Sequence, residues 1–141
     1  MRSFYLLVFW SVCFTVIFWA PSATLAEETP QDVDTSGLEA LGEEWRNVNP
    51  YDTSNARAVE VGVSAYGQNC ARCHGIGAVS GGLAPDLRYL PPDEEGDEIF
   101  TERVRNGSTQ GGRVLMPPFE GALRQETLWA IRTWLVTVHE E

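Results

Sequence analysis

The sequence predicts an all-α domain in which a few short helices are separated by long irregular loops. Three segments carry apolar residues at helical spacing, and none shows the alternation of a half-buried strand. Between them glycine and proline are dense: Gly75, Gly77, Gly81, Gly82, Pro85, Pro91, Pro92 and Gly96 in one stretch, and Gly107, Gly111, Gly112, Pro117, Pro118 and Gly121 in the next. Such loops cannot be held by regular backbone bonding of their own.

The chain begins with a segment unlike the rest. Arg2 is followed by an apolar run from Phe4 to Ala20, then Pro21, Ser22, Ala23 and Thr24. This is the layout of a secretory signal peptide over residues 1–26, with the mature chain expected to start at Glu27. A retained membrane anchor is the alternative, since the run lies at the lower end of the roughly 17 to 25 residues that can span a bilayer. Cleavage would leave one domain with a modest core, and the loss of Arg2 would move the formal charge from −10 to −11. The sequence contains no lysine. Nucleic acid and anionic membrane surfaces are poor partners for such a chain, whereas a basic protein face would suit it and would give salt-sensitive association. A soluble monomer with no stable membrane association is expected after cleavage. Cys13 would leave with the leader, so only Cys70 and Cys73 remain. A small exported domain without a disulfide framework needs another source of core, and a bound cofactor would supply it.

Residues 27–54 are acidic and polar, and read as a flexible N-terminal extension pinned near its end by Trp45 and Tyr51. From Ala56 to Gln68, Val59, Val63 and Tyr66 lie on one helical face, with Ser54 or Asn55 available as the cap. Gly62 inside that helix costs on the order of 1 kcal/mol relative to Ala, which suggests close approach by another element. A second helix is expected over Asp97 to Asn106, with Phe100 and Val104 on one face and Gly107 as its stop; Asp93 to Glu98 reads as its solvated entrance. Leu128, Ile131, Trp134, Leu135 and Val138 define a last helix from about Arg124 to His139. The domain proper is residues 55–141.

The chemistry turns on the pentapeptide Cys70-Ala71-Arg72-Cys73-His74. Zinc normally takes four ligands, and His139 is the one further Cys or His in the mature chain. A redox dithiol usually opens a helix after a strand, and no strand is expected before Cys70. Covalent attachment of haem c is the reading that C-x-x-C-H favours in an exported helical domain. Two thiols a turn apart, Cys70 and Cys73, would bond the porphyrin edge, and His74 would ligate the iron. Met116 is the candidate second axial ligand: it is the one methionine outside the leader, and Pro117 and Pro118 stiffen the backbone around it. His139, at the end of a helix, is better suited to capping its dipole.

These residues resemble the class I cytochromes c. The likeness runs from about residue 55 to the end, through Gly62 and Tyr66, CARCH, the APDL of residues 84–87, the MPPF of residues 116–119 and Trp134. It implies crossed N- and C-terminal helices with Gly62 against Trp134, and long loops around one haem. It also implies that Pro85 offers its carbonyl to His74, that Leu87 packs on the haem, and that Arg88 and Arg113 could pair with the propionates. The stretches NCARCHGIGAVSGGLAPDLR, GGRVLMPPFEGAL and LWAIRTWL are similar, more narrowly, to small periplasmic cytochromes c that accept electrons from pyrroloquinoline quinone (PQQ)-dependent alcohol dehydrogenases. Arg124, where a capping Ser or Thr is expected, and the short loop from Tyr89 to Asp97 depart from that pattern. The likeness implies a one-electron carrier between a methanol or ethanol dehydrogenase and a terminal oxidase or second cytochrome, with no catalytic residues of its own. A carrier between other respiratory complexes, and a haem sensor or peroxidase-like module in which Met116 does not bind, are the alternatives.

Overall fold

The computed structural model describes residues 29–141; the expected leader lies outside them. Four helices, α1 (Ala56–Asn69), α2 (Ala71–His74), α3 (Glu94–Asn106) and α4 (Gln125–Thr137), are joined by loops containing two short 3-10 turns and one hairpin of β1 (Ser108–Gln110) and β2 (Arg113–Met116). Among the described residues no helix is long and apolar enough to cross a membrane.

Asn55 caps α1, its side chain accepting from the Ala58 N–H at 3.0 Å. The helix buries Ala58, Val61, Ala65 and Tyr66 against α4. Gly62 lies at the contact: a Cβ there would come within 2.8 Å of Trp134 Cβ and strike the Ala130 carbonyl. Tyr66 and Trp134 complete the joint, with ring centroids 4.5 Å apart. The glycine is thus the residue that lets two backbones approach.

α3 starts earlier than the sequence suggested, at Glu94, because Asp93 accepts from the N–H groups of Glu95 and Gly96 and caps it. Asp97 is not a solvated entrance residue. It is 5% exposed and accepts from Arg132 Nε of α4 at 2.7 Å. Arg132, itself fully buried, also donates to the carbonyls of Pro91 and Asp93.

The hairpin corrects the expectation of an all-α chain without strands. Gly111 and Gly112 both take positive φ between the strands, the geometry of a tight two-residue turn. Neither strand alternates buried and exposed residues, so hydrophobic periodicity carries no trace of them. The register passes from Ser108↔Met116 to Thr109↔Val114, leaving Leu115 as an extra residue on β2. That bulge bends the strand just before Met116.

The expected flexible extension is, over residues 29–54, a packed strap. Leu41 and Tyr51 are buried, and the Trp45 and Trp129 rings lie 5.8 Å apart. Gln125 Nε2 donates to the carbonyls of Gly42 and Glu44, Asn49 Nδ2 donates to Thr133 Oγ1, and the Leu41 N–H donates to Glu126. The strap is polar because it covers a polar stripe of α4, in which Thr127 and Thr133 are fully buried. Composition therefore reads as solvated a segment that is bonded to α4 through several of its backbone and side-chain groups. Arg124 precedes α4 without a capping bond; Asp32 of the strap instead accepts from Thr127 Oγ1 at 2.5 Å and from Arg124 Nε at 2.6 Å.

Candidate cofactor site

α1 ends where the Cys70 N–H donates to the Tyr66 carbonyl, and α2 begins at once, its first turn closed by the His74 N–H on the Cys70 carbonyl at 3.0 Å. One helical turn therefore separates Cys70 from Cys73 and brings His74 to the same opening. Tyr66 Oη donates to the Gly75 carbonyl at 2.8 Å and fixes the exit from this turn. His74 Nδ1 lies 2.8 Å from the Pro85 carbonyl. A carbonyl only accepts, so the ring proton sits on Nδ1 and the lone pair of Nε2 remains for a ligand.

Met116 is brought to the other wall by β2. Gly107, which ends α3 at φ +67°, presses so closely on this segment that a Cβ would come within 2.9 Å of Pro118 N and strike the Met116 carbonyl. The Phe119 N–H then donates to the Val104 carbonyl at 2.7 Å and ties the loop to α3. Cys70, Cys73, His74, Leu87 and Met116 all line one cleft, whose empty space is about 980 Å³ counted out to the open mouth. Its floor is Phe100 and Val104 of α3 and Leu128 and Ile131 of α4. The periodicity of these helices placed the four residues on buried faces but gave no sign that the faces enclose a space.

Burial pushes the Cys70 thiol up to about 12, with Cys73 beside it adding to the effect. That is opposite to the depressed value that activates redox dithiols. Among the described residues no cluster of three or more His, Cys, Asp or Glu side chains is placed to hold a metal ion. Neither rival chemistry of the pentapeptide gains support.

The mouth of the cleft is distinct in charge. Segments 69–84 and 107–119, which border it, contain none of the chain's 20 acidic residues. They present Ile76 and Leu83, 90% and 74% exposed, with Val79, Val114 and Leu115. Arg88 does not turn toward the cleft: it pairs with Asp86 and Glu140. Arg113 is exposed on β2. His139 directs Nδ1 to the Arg88 carbonyl at 2.9 Å.

Residues 57–135 match the family model described as cytochrome c oxidase, cbb3-type, subunit III. The chain belongs to the c-type cytochromes. It is 59% identical over 114 residues to cytochrome c550 of Pseudomonas aeruginosa, a match covering 79% of each chain. It is 37% identical over 89 residues to the quinohemoprotein alcohol dehydrogenase ADH-IIG of Pseudomonas putida; that match covers 62% of this cytochrome and 11% of the enzyme. Cytochrome CL of Methylophaga aminisulfidivorans shares the fold at TM-score 0.51 and 23% identity, over 76% of this chain and 74% of that one. This cytochrome is an electron-transfer protein, and its family carries covalently attached haem c. The cleft fits that group chemically: it offers two thiols, an imidazole nitrogen freed by the bond to Pro85, a thioether and apolar walls.

Proposed function

We propose that this cytochrome is an exported, periplasmic monohaem carrier that takes single electrons from a PQQ-dependent methanol or ethanol dehydrogenase and passes them to a terminal oxidase or a second cytochrome. The observation that carries the reading is the convergence on one apolar cleft of Cys70, Cys73, His74 and Met116, with His74 oriented by Pro85. In this reading Cys70 and Cys73 would hold the haem covalently, His74 and Met116 would ligate its iron, and Leu87 would pack against it. The fold is that of class I cytochromes c, with α1 and α4 crossed at Gly62. One haem c bound there supplies reversible one-electron exchange. The chain holds the ligands, excludes water with Phe100, Val104, Leu128 and Ile131, and keeps acidic side chains off the two loops that border the mouth. Ligation by both His74 and Met116 would favour a raised potential suited to electron transfer.

The donor is inferred from the likeness to a segment of a quinohemoprotein alcohol dehydrogenase. Oxidation of one alcohol releases two electrons and so would reduce two copies of this carrier.

The test uses purified holoprotein, its single covalent haem verified by mass, mixed anaerobically with a PQQ-dependent alcohol dehydrogenase and its alcohol. Reduction within the enzyme's turnover time is expected. Its absence would remove the donor and leave a carrier between other complexes. Replacing Met116 by Ala is expected to abolish the long-wavelength sulfur-to-iron absorption; persistence of that band would overturn the ligation. Because no acidic side chain borders the mouth on its two loops, docking by apolar contact should make the rate vary little with ionic strength. A steep fall with added salt would instead favour a basic partner meeting the acidic surface, as net charge alone suggests.

A further inference from the structure

The bond that orients His74 depends on a carbonyl in a loop with little regular structure, and that loop is fastened to the end of the chain. On one side of Pro85, Ser80 Oγ donates to the Ala84 carbonyl. On the other, Asp86 accepts from the Ser80 N–H at 3.1 Å, from the Arg88 N–H at 3.1 Å, and from Arg88 Nε and Nη2 at 3.1 and 2.9 Å. Two parallel N–H···O bonds between a guanidinium and a carboxylate fix direction as well as distance. Arg88 is held in turn by the tail beyond α4. Its Nη1 lies 2.5 Å from Glu140 Oε1, and its carbonyl accepts from the Glu140 N–H and from His139 Nδ1, both at 2.9 Å. Asp86 and Arg88 side chains are 19% and 18% exposed, whereas that of Glu140 is 52% exposed. The inner pair is therefore shielded, and the outer pair is screened by solvent.

We propose that Asp86 and Arg88, anchored by the backbone and ring of His139 and Glu140, are positioning residues that aim the Pro85 carbonyl at His74 and so set the donor strength of its imidazole. The inference rests on His74 being the axial ligand. An acceptor on Nδ1–H makes the opposite nitrogen more basic. A more basic ligand favours the oxidised metal, so loosening the carbonyl raises the reduction potential.

The experiment measures reduction potential by spectroelectrochemistry and the exchange rate of the His74 Nδ1–H by NMR, on holoprotein. Arg88→Gln and a chain ending at Val138 are both expected to shift the potential upward and to speed exchange of that proton, with the Met116 absorption retained. Glu140→Gln, which keeps the backbone bond, is expected to shift neither. An unchanged potential in Arg88→Gln, with the His74 resonance present and the spectrum native, would overturn the clamp and leave the network a structural one. Should Arg88→Gln fail to fold, an unchanged potential in the shortened chain has the same force. A wild-type spectrum without a metal-shifted His74 resonance would overturn the clamp together with the site it serves.

Discussion

On the cleft side the bonds nearest the site are short-range: His74 to Pro85, 11 positions on, and Asp86 to Ser80 and Arg88, 6 and 2 positions away, with Arg88 in turn anchored 51 positions on by His139. On the strap side the partners are remote: Gln125 reaches Glu44 across 81 positions, Thr133 reaches Tyr51 across 82, and Thr127 reaches Asp32 across 95. The cleft is apolar and its chemistry is local. The strap is polar, and its bonds exist only once the fold has closed. The groups nearest His74 are thus set mainly by short-range contacts, whereas the polar network between strap and α4 is long-range throughout. Substitutions on the two sides should separate accordingly, in stability and in the properties of the bound cofactor.

The largest effect is expected from Arg132→Met. It leaves Asp97, 8% exposed at its side chain, without its buried partner and frees the carbonyls of Pro91 and Asp93. Removal of one member of a buried ion pair costs about 3–5 kcal/mol. The unfolding free energy of the holoprotein, read from denaturant titration, should fall by that measure while the native spectrum stays unchanged. A loss below about 1 kcal/mol, the range of an exposed pair, would show that the joint of α3 and α4 is less committed than its burial indicates. Gly62→Ala comes next, because the added methyl meets the Ala130 backbone and Trp134 Cβ. Overpacking of this kind costs about 1–3 kcal/mol. It acts on the joint of α1 and α4, so it should lower stability and disturb α2, which follows α1 directly. An Ala variant as stable as wild type would show that the helices can slide apart without loss.

What could be read from the sequence follows the same division. Gly62 within a helical pattern pointed to a close approach, and the approach is at Ala130 and Trp134. The spacing of Cys70, Cys73 and His74 and the proline frame of Met116 singled out side chains that line one cleft. These signals were legible because each is a departure from local preference, confined to a few residues. The hairpin escaped notice because both its faces are largely exposed. Asp97 was mistaken for a solvated residue because the acidic run from Asp93 to Glu98 conceals which member faces inward. Arg88 was considered for a propionate, yet Asp86 two residues before it offers a nearer carboxylate through a local turn. The strap was misjudged for a deeper reason. Its composition is that of a solvated tail, and only the polar stripe on α4 makes a polar strap the complementary one.

The smallest of these effects sharpens the contrast by pH. Asp32 brings a carboxylate to the N-terminal end of α4, where Arg124 provides no cap and the helix dipole favours negative charge. Burial works against its ionised form, but hydrogen bonds from Thr127 and Arg124, with the charge of Arg124, outweigh it and hold its pKa below the ordinary 3.8. A depressed folded-state pKa means that the stabilisation is complete above the unfolded value and is lost as pH falls through the folded one. Asp32→Asn should therefore cost about 1 kcal/mol near neutrality, the usual worth of such a helix-end contact, and the difference from wild type should close as pH drops below 3.8. Denaturation curves at several acidic pH values measure the gap directly. A gap that stays constant into strong acid would mean that Asp32 acts through neutral hydrogen bonds, and that the strap is held to α4 without help from its charge.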